Sequence, residues 1–376
     1  MSARGGIARG AAAAAMIAAL LVAWCAASAA PATRAKPARR PAFEVGADLS
    51  SLAAVESHGG AFHDGARTAD AMGLLRARGF TSVRLRLWHT PARGESGLDS
   101  TLRLAARAHA AGLRILLDLH YADTWADPGH QPTPTAWLGL TSESLADSVH
   151  AYTRAVVGAL AAQGTPPDAV QIGNEIDGGL LWDAGRVGGD YERPQQWRHL
   201  AALLAAGSRG VREAAPAARV VVHVAAGGDA ARCRAFFEHL EQSRLDYDVI
   251  AVSYYPWWHG PLDALRANLA ALAGRFGKDV IVAETAYPWT LRWFDNAHNL
   301  VGTPAQLLPG YGATPEGQAA FARAVREAVA AVPEHRGAGV WWWEPTWIAA
   351  PGSGSPWENC ALFDSTGALL PPVSGG

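Results

Sequence analysis

Two stretches of this chain carry an acid in the same setting. Val170-Gln171-Ile172-Gly173-Asn174-Glu175 is a short apolar, β-branched run that ends in an amide and a carboxylic acid, and Val280-Ile281-Val282-Ala283-Glu284 repeats the design. Each reads as a buried strand that presents a glutamate at its C-terminal tip. Two carboxyl groups facing one linkage are what hydrolysis of a glycosidic bond needs. If they stand about 5–5.5 Å apart the reaction retains configuration. Glu175 would then be general acid and afterwards base, and Glu284 the nucleophile.

For that division of labour the two acids must differ in proton affinity. Burial and the neighbouring Glu284 charge would keep Glu175 protonated. An inward arginine, Arg84 or Arg86, and a hydroxyl from Tyr254 or Tyr255 would favour an ionised Glu284. Asn174 is placed to hydrogen-bond a sugar 2-hydroxyl, and His120 to contact sugar or carboxylate. Taken singly, each residue has a plain structural reading: half of an ion pair, a turn cap, a packed imidazole. The joint pattern points to catalysis.

The elements that must position these residues alternate in type. Strands are expected at 45–50, 82–88, 114–121, 170–176, 219–224, 248–253, 280–283 and 339–343, each a short apolar run. Helices are expected between them at 68–78, 100–111, 142–163, 194–214, 229–242, 262–275 and 314–332, several closed by glycine or opened by Thr-Pro. None of the connections reads as a hairpin. Regular β-α alternation predicts a parallel sheet, and eight units predict a single (β/α)8 TIM barrel, an α/β fold, with long loops on its catalytic face. A doubly wound sheet would need a glycine-rich phosphate turn after the first strand, and Gly46-Ala47-Asp48 is not one. On Ser82–Trp88, alternation places Arg84 and Arg86 together on one face. Inside a barrel such charge requires carboxylate partners. The loop at 122–138 holds Asp123 and Trp125, and those at 177–193 and 286–313 are also long.

Composition excludes some classes. With 376 residues, 18% charged and a net charge of −2, nothing marks a nucleic-acid or strongly anionic partner. The 15 tryptophans are the outlying number. Trp88, Trp125, Trp182, Trp257, Trp258, Trp289, Trp343 and Trp347 fall at strand ends or in loops, where flat rings suit stacking on sugars. Arg4 and Arg9, an apolar run at 11–26 and Ala27-Ser28-Ala29 predict a secretory signal peptide over 1–30, followed by a disordered lead-in at 31–42 and the catalytic domain at 43–372. The mature protein is expected to be exported, to the periplasm or beyond the cell, free of the membrane, and monomeric. Cys25 would leave with the leader. Cys233 and Cys360 could pair, although two buried free thiols are the favoured state.

Several motifs together resemble one family. They are Arg84-Leu85-Arg86-Leu87-Trp88, Asp118-Leu119-His120-Tyr121 with the Asp123–Gly129 run, Gln171-Ile172-Gly173-Asn174-Glu175-Ile176, Ser253-Tyr254-Tyr255-Pro256-Trp257-Trp258-His259-Gly260, Ala283-Glu284-Thr285-Ala286-Tyr287, Trp343-Glu344-Pro345 and Trp357-Glu358-Asn359. In this order they resemble the secreted endo-β-1,4-galactanases, glycoside hydrolase family 53. The resemblance implies that Glu175 is the proton donor and Glu284 the nucleophile. It implies β-1,4-galactan, as in type I arabinogalactan, as substrate, with no cofactor in catalysis. Arg84, Arg86, Trp88, His120, Asp123, Trp125, Asn174, Tyr254, Tyr255 and Trp343 are the expected substrate contacts. His89 departs from the family, which commonly has Asn there. Some members hold a structural calcium after strand seven, where this chain has Asp295, Asn296, His298 and Asn299; an ordinary loop is the expectation. The competing functions are an endo-glycanase of the same clan on mannan or glucan, and a polysaccharide-binding barrel without catalysis.

Overall fold

The computed structural model describes residues 42–371. The expected signal peptide at 1–30 and all but the last residue of the lead-in lie outside the described residues. Eight strands, β1 (Glu44–Asp48), β2 (Ser82–Leu87), β3 (Arg114–Leu119), β4 (Ala169–Ile172), β5 (Arg219–Val224), β6 (Val249–Tyr254), β7 (Asp279–Thr285) and β8 (Gly337–Trp342), close into one barrel. Sequence neighbours pair in parallel all the way round, and β8 pairs with β1. The observed fold is the expected (β/α)8 barrel.

Helices α1 (Leu52–Ser57), α2 (Ala71–Ala77), α3 (Leu98–Ala110), α4 (Ser142–Ala162), α5 (Pro194–Ala214), α6 (Ala230–Gln242), α7 (Leu262–Phe276) and α8 (Pro315–Ala330) surround it. Caps decide several boundaries. Asp70 accepts the Met72 N–H, so α2 begins at Ala71 rather than at the expected 68. Thr314 accepts from Gly317, with Pro315 in the first turn of α8. Helix α1 was not expected, and two hairpins of two-residue strands contradict the hairpin-free reading: His63–Asp64 with Arg67–Thr68, and Gly179–Leu180 with Gly185–Arg186. Strands that short carry no readable alternation.

Strand alternation divides the apolar residues between two cores. Val83, Leu85 and Leu87, with Ile115, Leu117 and Leu119, pack outward under the helices. Leu116, Val221, Val249, Ala251, Ile281, Ala283 and Trp341 form a second cluster inside the barrel. Trp341 is the large member of that plug, and Gly46 makes room for it: a Cβ there would come within 2.1 Å of the indole. Toward the C-terminal ends of the strands the interior turns polar, which is where a barrel places its chemistry. Cys233 and Cys360 are buried free thiols. No described helix is long and apolar enough to cross a membrane.

Candidate active site

Simple alternation along β7 would put Glu284 on the face of Val280 and Val282, which lies under the helices. A β-bulge prevents this. Val252 pairs with Val282, but the next residue, Ser253, pairs with Glu284, and the register against β8 shifts at the same place. The extra residue turns Glu284 into the barrel mouth. At the end of β4 a backbone kink does the equivalent work. Gly173 has φ +100°, and a Cβ there would meet Ile176 at 2.7 Å. Glu175 itself has φ 48°, a left-handed conformation that costs a non-glycine residue on the order of 1 kcal/mol.

The two devices bring the acids together. A carboxylate oxygen of Glu175, one of Glu284 and a ring nitrogen of His223 lie within 4.8 Å of one another. Both His223 nitrogens face protein groups, Asn174 Oδ1 at 3.1 Å and Ser253 Oγ at 3.0 Å. The trio is therefore a hydrogen-bonded cluster and not a ready set of metal ligands.

Beneath the acids, Arg84 is fully buried and held by five residues from four strands or their tips. Nη1 lies 2.6 Å from Asp48 Oδ2 and 2.9 Å from Glu284 Oε1, and Nη2 lies 2.9 Å from Asp118 Oδ2. Nη2 also donates to Asn174 Oδ1 at 2.8 Å, and Nε to Gln171 Oε1 at 3.3 Å. One cation thus faces three carboxylates, and two of them, Asp118 and Glu284, titrate differently. Burial pushes Asp118 up, but Arg84 and His120 outweigh it and hold that carboxyl at about 2. Burial raises Glu284 to about 7, helped by Asp48 and Asp118 and opposed by Arg84 and the Tyr255 hydroxyl. Glu175 is lifted well above the ordinary carboxyl range, first by burial and then by the Glu284 charge, with the Ser253 hydrogen bond working the other way. Of the pair, Glu284 has the cation in contact, so the proton they share belongs on Glu175.

The other expected residues divide into those in the cleft and those outside it. Tyr255 donates its hydroxyl to Glu284 Oε2 at 2.9 Å. Tyr254, one residue earlier, faces the helices; its hydroxyl donates to the Gly260 carbonyl and its ring stacks on Phe321. It is not a cleft residue, because strand parity separates the two tyrosines. Arg86 reaches Glu344, with Nη1 3.1 Å from Oε1, rather than the paired acids, and its guanidinium lies 3.9 Å from the Trp125 ring centroid. Trp125, Trp343, Trp347 and Trp357 line the cleft beside Arg84, His120 and Asn174, and Trp258, 58% exposed, stands at its edge. Trp88 is buried edge-on against Trp125, at 5.3 Å between centroids.

Asp123 does not line this cleft. Its carboxylate accepts the N–H groups of Thr90 and Thr135, tying two loops together. His89 packs between Trp137 and Tyr152. His120 is pinned at both nitrogens, Nε2 against Asp118 and Nδ1 accepting from Ala126 N–H. Asn174 donates from Nδ2 to the Ala126 carbonyl while its oxygen faces Arg84, Gln171 and His223. Sequence reasoning did not assign roles to Asp48, Gln171, His223, Ser253 or Glu344. All but Gln171 sit near the C-terminal end of an expected strand, the one feature that could have flagged them.

The loop after β7 spends several of its polar groups on backbone partners. Asp295 accepts from Ala297 N–H and Ser355 N–H, the His298 ring packs on Trp293, and Asn299 Nδ2 donates to Arg292. Asp295, Asn296 and Asn299 carry four side-chain oxygens between them, and the rest of the six to eight that calcium takes would have to come from backbone carbonyls, waters or other side chains.

Comparison with known proteins agrees with this geometry. The family model described as Glycosyl hydrolase family 53 matches residues 44–374. An "Endo-beta-1,4-galactanase" of Bacillus subtilis is 35% identical over 335 residues, covering 87% of this chain and 75% of that protein. The solved "Ignisphaera aggregans GH53 catalytic domain" superposes with a TM-score of 0.84 at 35% identity, covering 90% of this chain and 96% of that one. A structure from a study of two fungal β-1,4-galactanases gives 0.78 at 30% identity, covering 89% and 98%. An acid pair at the mouth of a parallel barrel, on a chain matched over nearly all its described length, makes this protein a glycoside hydrolase that belongs to glycosyl hydrolase family 53.

Proposed function

We propose that this protein is a secreted, retaining endo-β-1,4-galactanase acting on the β-1,4-galactan of type I arabinogalactan. The carrying observation is that Glu175 and Glu284 present oxygens within 4.8 Å of each other, with Arg84 and Tyr255 on Glu284 alone. That spacing suits direct attack by one carboxylate rather than insertion of a water between the two. The Glu284 carboxylate attacks the anomeric carbon as the glycosidic C–O bond breaks, and the leaving oxygen takes the proton of Glu175. Water then gives its proton to the Glu175 carboxylate while its oxygen displaces Glu284, which leaves as a carboxylate. The substrate follows from the relatives named as galactanases and from the tryptophan-lined cleft. Catalysis uses no cofactor, the working form is a monomer, and the N-terminal 30 residues act as the export signal.

Reducing-sugar release from β-1,4-galactan, mannan and cellulose tests the substrate; release from mannan or cellulose alone would move the enzyme to another glycan. Proton NMR of the first anomer formed tests the mechanism. The β-anomer is expected, and the α-anomer would rule out a covalent glycosyl-enzyme on Glu284. A protein that binds galactan and releases no sugar from any of the three would be a binding barrel.

A further inference from the structure

Glu175 is tied to the barrel interior by a chain of close polar contacts. Its Oε1 lies 2.6 Å from Ser253 Oγ, Ser253 Oγ lies 3.0 Å from His223 Nε2, and His223 Nδ1 lies 3.1 Å from Asn174 Oδ1. Ser253 and His223 are fully buried, so their protons are shared among these partners.

The inner end of the chain sets its direction. Arg84 Nη2 has only hydrogens to offer and lies 2.8 Å from Asn174 Oδ1, while Asn174 Nδ2 donates to the Ala126 carbonyl. The amide is therefore fixed in one orientation. A bare Nδ1 would set its lone pair against Asn174 Oδ1, so His223 carries its proton on Nδ1. The competing Glu175 N–H is the longer contact, at 3.4 Å. Burial, together with Arg84, keeps the ring neutral. Nε2 is then an acceptor, and Ser253 is its donor.

Ser253 has one proton. When Glu175 is ionised, its carboxylate and His223 Nε2 compete for that proton, and one goes without. When Glu175 is protonated, its O–H donates to Ser253 Oγ, Ser253 O–H donates to His223 Nε2, and both are served. We infer that His223 and Ser253 are positioning residues that keep Glu175 protonated in the free enzyme through the direction of their hydrogen bonds. The inference rests on Glu175 being the proton donor. As Glu175 gives its proton to the leaving oxygen, Ser253 turns its own proton from His223 to the new carboxylate. It turns back when Glu175 takes a proton from water, so the same pair makes Glu175 a stronger base in the second step. The charged and titratable groups facing this chain are Glu284, Asp177, Arg84 and Tyr255 around Glu175, and Glu284, Arg84, Asp118, His120 and His259 around His223.

The test is the alkaline limb of kcat/KM on β-1,4-galactan. In His223→Leu, Ser253 is free to donate to the carboxylate, and the limb should fall by about 0.5–1 pH unit. In a Ser253→Ala background the same substitution should move the limb no further, and Ser253→Thr, which keeps the hydroxyl, should leave it near the wild-type position. A limb that stays or rises in His223→Leu overturns the inference. Should that variant not fold, 15N NMR of the histidines in the wild type reads the tautomer directly, with the His223 signal assigned through its change in Ser253→Thr. The Nδ1–H form is expected, and the Nε2–H form overturns the inference. The reading beneath it fails separately: if Glu175→Gln hydrolyses galactan at the wild-type rate, Glu175 is not the donor. If Glu175 is required and the limb does not fall, only the role of His223 and Ser253 is lost.

Discussion

Arg84 Nη1 lies 2.9 Å from Glu284 Oε1 and is shared with Asp48 Oδ2 at 2.6 Å. Burial, with the Asp48 and Asp118 charges beside it, raises Glu284 to about 7, and the shared guanidinium offsets that only in part. Replacing Arg84 with Met is expected to cost about 3–5 kcal/mol, because three acids lose their cation in a buried site. Adding Asp48→Asn should recover part of that loss, and a double-mutant cycle by chemical denaturation measures the recovery. Equal, additive losses would separate the two residues.

Tyr254 and Tyr255 are adjacent but face opposite sides of the barrel wall. Tyr255→Phe removes a hydrogen bond to a charged oxygen, worth roughly 1.5–3 kcal/mol, and is expected to lower kcat about 10- to 100-fold. Tyr254→Phe should leave kcat within about twofold, the loss of its bond to Gly260 showing only in stability. Kinetics of the two variants on galactan check the assignment.

Glu344 is buried against Arg86 and Ser51, and burial above all raises its carboxyl to about 7. A raised folded-state value means that the native protein binds more protons than the unfolded chain between about pH 4.5 and 7. The contribution of Glu344 to stability is therefore full below that window and lost as pH rises through it. Glu344→Gln, which cannot titrate, should gain on the wild type across the window, by on the order of 1 kcal/mol or more. Denaturation midpoints of both proteins at pH 4.5 and 7.5 test the sign.

Gly46 and Trp341 share one space at the floor of the barrel. Gly46→Ala is expected to destabilise by about 1–3 kcal/mol through overpacking, while pH dependence and substrate preference stay as they are. Thermal denaturation with a pH–rate profile separates that loss from any effect on the site.

The sequence by itself determined the barrel, because eight apolar runs alternating with capped amphipathic helices have few other ways to bury their surfaces. It also determined that Glu175 and Glu284 close strands four and seven, and that Arg84 and Arg86 share a face. Local periodicity carries that much. It does not carry the side on which a residue stands once the period is broken. Followed strictly, alternation would have buried Glu284 under the helices; the bulge that pairs Ser253 with Glu284 forms only against the strands on either side. The same holds for the left-handed turn at Glu175 and for the opposed faces of Tyr254 and Tyr255. Which acid each arginine meets was likewise settled in three dimensions, Arg84 by Asp48, Asp118 and Glu284 and Arg86 by Glu344, because ion pairing depends on distances between strands that the chain order does not contain.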